Sequence, residues 1–188
     1  MNPPLEELKT EHEAVRQSLK ILKRMIRAIE TSGEITEPTQ LEQLLEFFSL
    51  FVDRCHHGKE EDLLFPAMEA VGVSRQGGPI GVLLREHQLG RNQVLKMKRA
   101  FAQYRQGRSE AARTLALHAR TYIELLNQHI DKENEVLFVI AARHLSPEKT
   151  AELKNGFDQI ESQRIGAGRH EAFHRMLERL QKAYPATA

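Results

Sequence analysis

Four histidines stand where a leucine or isoleucine would be expected. His12, His56, His87 and His129 each fall on the apolar seam of a separate helical segment. Two of them have a carboxylate four residues on, Glu60 after His56 and Glu133 after His129. An i, i+4 spacing stacks both side chains on one helix face, so each pair can reach the same metal ion. Burying an unpaired imidazole costs about 1–3 kcal/mol in lost solvation. One seam histidine is ordinarily a satisfied core residue; one on each of four helices points to a shared task. Imidazole and carboxylate without thiolate suit iron, manganese or zinc. Two histidines and one bridging-capable glutamate per side suit two ions.

The elements that must position these residues are helices. Proline and glycine divide the chain into long segments of helical apolar period, with no alternating β-branched run and no Asn-Gly hairpin turn. Pro3, Pro4, Pro38, Pro79, Pro147 and Pro185 fall at segment edges, where a missing N–H does no harm. Pro66 falls inside a segment and is expected to kink or end it. The seams run through Leu5, Leu8, His12, Val15 and Leu19; through Leu45, Phe48, Val52, His56, Glu60 and Leu63; through Ile80, Leu83, His87, Val94 and Met97; and through Leu115, His118, Tyr122, Leu125, His129, Val136 and Ile140. Ser109 and Ser146 are expected N-caps. Four long helices on short loops must alternate in direction. The expected fold class is therefore all-α: an up-down-up-down four-helix bundle over residues 1–144, with a C-terminal helical extension over residues 145–188 that packs on the bundle.

Registry brings the six side chains to one height. His12 and His87 each lie eight residues after a proline that starts their helix, Pro4 and Pro79, whereas Glu60 and Glu133 lie near the ends of theirs. In an antiparallel bundle those positions share a level. The chain also repeats itself: Glu11-His12 recurs as Glu86-His87, and the segment from His56 to Phe65 recurs as His129 to Phe138, with offsets of 44 and 42 residues from His12 to His56 and from His87 to His129. The repeat favours His56 and Glu60 over the equally spaced His57 and Glu61, since His129 and Glu133 align with the former. In a regular α-helix His57 and Glu61 also point about 100° further from the seam. Gly58 could distort that turn, so His57 and Glu61 remain an alternative pair.

At these residues the sequence resembles the hemerythrin-like (HHE cation-binding) family, over about residues 5–142, through the doubled H-x3-E-x3-L-F motif and its two Glu-His partners. The resemblance implies a four-helix bundle around a non-haem di-iron centre, with two iron ions held by His12, His56, Glu60, His87, His129 and Glu133. The chain departs from the oxygen-carrying hemerythrins, which place a second histidine one turn after the helix-three ligand and end helix four with an H-x4-D pair. Here position 91 is Arg, position 83 is Leu, and the last pair is His129/Glu133. The set of four His and two Glu is similar to that of di-iron proteins associated with iron–sulfur repair and nitrosative stress. Binding of, or reaction with, O2, peroxide or NO is the implied function. The competing reading is a non-catalytic module that stores, donates or senses iron or oxygen, and manganese or zinc could replace the iron.

Weaker features remain. His170-Glu171-Ala172-Phe173-His174 matches HExxH, the zinc-protease helix, but a protease also needs a third ligand and a substrate cleft, and Glu178 is the sole other nearby carboxylate on the same helix. His170 or His174 could instead fold back over the bundle as an extra ligand, or lie solvated on an amphipathic helix. His118 is too far from His129, about 16 Å along the helix, to share its metal. His57, His118 and His144 are expected bystanders, Tyr122 and Cys55 core residues, and Glu11 and Glu86 surface groups or partners of ligands. With 27 Lys+Arg against 26 Asp+Glu, the charge balance gives no electrostatic case for nucleic acid or an anionic membrane. A single cysteine, no long apolar run and no basic, apolar leader fit a reducing cytoplasm. The expected partner is a small diatomic or peroxide molecule.

Overall fold

The computed structural model describes residues 2–166 and 168–185. Its described residues are largely helical with no strand, and they form an all-α bundle. Helix α1 spans Pro3–Ser32, with proline in its first turn and Gly33 closing it in the left-handed region (φ 77°), its N–H bonded to Ile29 O. The second rod starts as α2 (Pro38–Phe47) and continues through π-helical stretches at Phe48–His57 and Glu60–Leu64 into α3 (Phe65–Ala70). Helix α4 (Pro79–Arg105) is the third rod. The fourth runs through α5 (Ala111–Lys132), a π-helical turn at Glu133–Leu137, and α6 (Phe138–His144). The extension comprises α7 (Pro147–Arg164) and α8 (Arg169–Ala183). Ser146 caps α7 by accepting from Lys149 N, as expected; α5 starts two residues after Ser109 and has no side-chain cap.

Pro66 neither ends nor breaks the second rod. Proline cannot donate an i→i−4 bond, and the rod has already widened there to i→i+5 bonding, with Phe65 N–H on Glu60 O. The fourth rod widens at the matching place, Phe138 N–H on Glu133 O, although no proline follows. The wide turn therefore belongs to the repeated motif. It also shifts the phase of the seam: Val136, an expected seam residue, is 48% exposed, while Leu137 and Phe138 beside it are buried.

Apolar side chains form two clusters, one at each side of a polar layer. One is built from Leu5, Leu8, Leu64, Phe65, Met68, Ile80, Leu83, Leu137 and Phe138 with Leu153 and Phe157 of α7. The other holds the seams beyond the histidines, from Val15 and Phe51 to Val94 and Ile130, with Phe173, Met176, Leu177 and Leu180 of α8. Each fully buried Leu or Phe contributes about 1.5–3 kcal/mol. The extension thus adds to both clusters. Between them the bundle buries Glu11, His12, His56, His57, Lys59, Glu60, His87, His129 and Glu133.

Candidate metal centre

The polar layer resolves into two groups that share a carboxylate. His12, His56, Glu60 and Glu133 each offer one ligand atom, all within 4.8 Å of one another, and so do His57, Glu60, His87 and His129. Both glutamates reach across. Glu133 turns Oε2 to His12 Nε2 and Oε1 to His129 Nε2, each at 3.1 Å. Glu60 turns Oε1 to His56 Nε2 at 3.7 Å and Oε2 to His87 Nε2 at 3.4 Å. His87 Nε2 lies 3.0 Å from His129 Nε2. One carboxylate oxygen therefore faces each side, twice over.

The donor set fits a pair of cations. His12 Nε2, both oxygens of Glu60, both oxygens of Glu133 and both ring nitrogens of His57 are buried without an aligned hydrogen-bond partner. Buried polar atoms are almost always satisfied, and an orphan costs about 1–3 kcal/mol, more when charged. Seven converging orphans of nitrogen and carboxylate type are what hard and borderline cations satisfy.

The Nδ1 atoms of four histidines are each held by a side chain, so Nε2 faces the centre. His56 Nδ1 pairs with Glu11 at 2.8 Å and His129 Nδ1 with Glu86 at 3.0 Å. His12 Nδ1 pairs with Asn134 at 2.9 Å and His87 Nδ1 with Glu61 at 2.6 Å. Such partners fix the tautomer and raise the basicity of a ligand imidazole. They obey the repeat: Glu11 corresponds to Glu86, and Glu61 to Asn134. So do the flanking groups. Lys59 binds Glu11 at 2.5 Å and Lys132 binds Glu86, while Phe138 stacks on His12 (centroids 5.4 Å apart) and Phe65 on His87 (5.8 Å). Glu61 is thus held by His87 and Arg91 and faces neither group. Glu11 and Glu86 fall among the expected partners of ligands, and Lys59 and Lys132 could be found in the sequence by asking what else repeats around the histidines.

Electrostatics follow from this packing. Burial opposes ionisation of Glu11, but the His56 hydrogen bond and charge, with Lys59, hold its carboxyl down at about 2. Burial opposes protonation of His129, yet Glu133 and Glu86 raise it to about 9. His87 is raised well above its ordinary value against burial by Glu133, Glu60 and Glu61, and Glu133 is driven well below its own by the surrounding histidines. A cation bound here would compete with protons for the same nitrogens.

His57 does not point away. The i→i+5 turns of Phe48–His57 narrow the angle between consecutive side chains, so His56 and His57 both face inward. His57 is 3% exposed and stacks on His87, centroids 3.8 Å apart. Gly58 does not cause this; it is ordinary right-handed helix (φ −64°) and makes room for the Arg164 guanidinium of α7. On the outer side of His57 a cavity of about 250 Å³ is lined by Asp53, Arg91, Lys98 and Tyr122.

The other candidates lie apart. His170 Nδ1 is 2.9 Å from Glu161, and the His170 and His174 rings stack on each other and meet Phe51 edge-on. His170, Glu161 and Glu11 converge, but the Lys59 ammonium already sits 3.5 Å from Glu161 and 2.5 Å from Glu11. His118 is half-buried on Gln93, and His144 is exposed. Burial pushes the Cys55 thiol up to about 12, so it stays protonated.

The model of the hemerythrin HHE cation binding domain matches residues 4–141 of the chain. Uncharacterized proteins of Mycobacterium bovis and of two strains of Mycobacterium tuberculosis are 27% identical to it over 164 residues, 86% of this chain and 62% of theirs. The chain therefore spans less than two thirds of the length of these relatives. No solved structure matches it. Among the described residues no helix is long and apolar enough to cross a membrane.

Proposed function

The chain belongs to the hemerythrin HHE cation-binding domain family, and on that premise we propose that it is a non-haem di-iron protein that binds or reacts with O2, peroxide or NO. His12 and His56 would hold one ion and His87 and His129 the other, with Glu60 and Glu133 spanning both. The observation that carries this reading is the pair of glutamates, each with one orphaned oxygen toward either histidine group. Two iron ions would supply one-electron chemistry and positions for a small ligand.

The chain's own residues set the terms. Glu11, Glu61, Glu86 and Asn134 hold each imidazole with Nε2 inward. Phe65 and Phe138 cover His87 and His12 on the side of the apolar cluster and keep water from them. Access from the opposite side is through the cavity beside His57, where Asp53, Arg91 and Lys98 make a polar wall. At about 250 Å³ it has ample room for a diatomic or peroxide molecule.

Iron-loaded chain should carry two ions and consume peroxide or NO over repeated additions. Release of iron to an acceptor without any consumption would replace this reading with storage, donation or sensing. A chain that takes zinc but no iron would make the centre structural.

A further inference from the structure

We infer that His57 is a fifth histidine ligand of this centre, joining His87 and His129 on one side and leaving the His12–His56 side with fewer nitrogen donors. The inference rests on the two-ion reading and goes beyond it, because it makes the two ions inequivalent.

Four observations carry it. One ring nitrogen of His57 lies within 4.8 Å of the ligand atoms of Glu60, His87 and His129. Both of its ring nitrogens are buried and unpartnered, and the residue is only 3% exposed. The other four histidines of the layer each have Nδ1 held by a carboxylate or amide; His57 has no such holder. Its nearest carboxylate, Asp53, lies 3.6 Å away and is bound at 2.6 Å by Arg91. A buried imidazole with neither nitrogen satisfied lacks a structural reason to be there, whereas a cation beside Glu60 supplies one. The fourth observation is the backbone. The π-helical stretch that turns His57 inward ends at this residue, and π-bulges recur at functional sites. The repeat does not require it, since the matching residue of the second half is Ile130. The asymmetry is therefore built into the first half alone.

The test uses the full chain loaded with Zn2+, its histidine rings labelled with 15N. Five rings with one nitrogen at the metal-bound shift are expected; four, with His57 free, would overturn the inference. His57→Ala should hold one Zn2+ against a chelator that leaves both on the unmutated chain. Imidazole entering through the cavity should restore the second, a rescue that a merely structural role would not give. Two tightly held ions in His57→Ala would overturn the assignment and leave the centre intact, whereas fewer than two in the unmutated chain would overturn the two-ion reading itself. His118→Ala is the control. If His57→Ala does not fold, the ring count on the unmutated chain decides.

Discussion

In the first half of the bundle, Lys59 binds Glu11 with its side chain wholly buried; in the second, Lys132 binds Glu86 with 43% of its side chain exposed. The motif is the same, and the orientation of the histidine behind each glutamate is the same. What differs is the cover. Glu7 and Glu161 close over Lys59, and Arg164 of α7 lies on Gly58 while bonding Asp62 and the Arg54 carbonyl. In the second half the residue matching Gly58 is Asp131, which pairs with Arg16. The repeated motif sets the geometry of the donors, and the C-terminal extension sets how dry their supports are.

Substitutions at matching positions can break or sharpen that contrast. The largest effect is expected where the halves act as one: Glu60→Ala and Glu133→Ala should each abolish tight binding of both ions, read as metal per chain after desalting. Loss of one ion in one variant and both in the other would show that a single glutamate spans the sides. Next come the lysines. Lys59→Ala strands a buried carboxylate and should cost about 3–5 kcal/mol, whereas Lys132→Ala should cost about 0–1 kcal/mol, as exposed pairs do. Chemical denaturation measures both, and equal losses would remove the distinction drawn here.

The acid limb gives a smaller, directional test on the metal-free chain. Glu11 titrates at about 2 instead of its ordinary 4.5, so its contribution is complete above about 4.5 and is lost as the pH falls toward 2. Glu86 is also held low, against partial burial, by His129 and Lys132. Glu11→Gln should therefore flatten the fall of Tm with acid more than Glu86→Gln does. The smallest effect belongs to Gly58→Ala: the added methyl meets only the flexible end of Arg164, so stability should change by no more than about 0.5 kcal/mol. A large loss would mean that the extension is clamped at this point.

The bundle was legible in the sequence because its seams, proline starts and turn loops all agree, and antiparallel registry put His12, His56, Glu60, His87, His129 and Glu133 at one level. What was not legible in the bundle itself traces to one cause. Arguments at 100° per residue hold for α-helix, and the second and fourth rods are π-helical where they meet the site. That is why His57 reads as a bystander and is found against His87, and why Val136 reads as seam and is found exposed. The tail motif left the surroundings of its histidines open, because HExxH fixes a spacing on one helix while the partners that face meets depend on packing, here Glu161 and Phe51.

The hydrogen bonds to Nδ1 divide in another way. Glu11–His56 and Glu86–His129 close within one helical hairpin, whereas Asn134–His12 and Glu61–His87, with the stacked Phe138 and Phe65, run from one hairpin to the other. A separated hairpin could keep the first kind and would lose every one of the second. Docking the hairpins and completing the donor set are thus a single equilibrium, and any ion that binds the completed set holds the halves together, by about 4 kcal/mol at a thousandfold excess over its dissociation constant. The cation would be the fastener of a clasp whose two leaves are the hairpins.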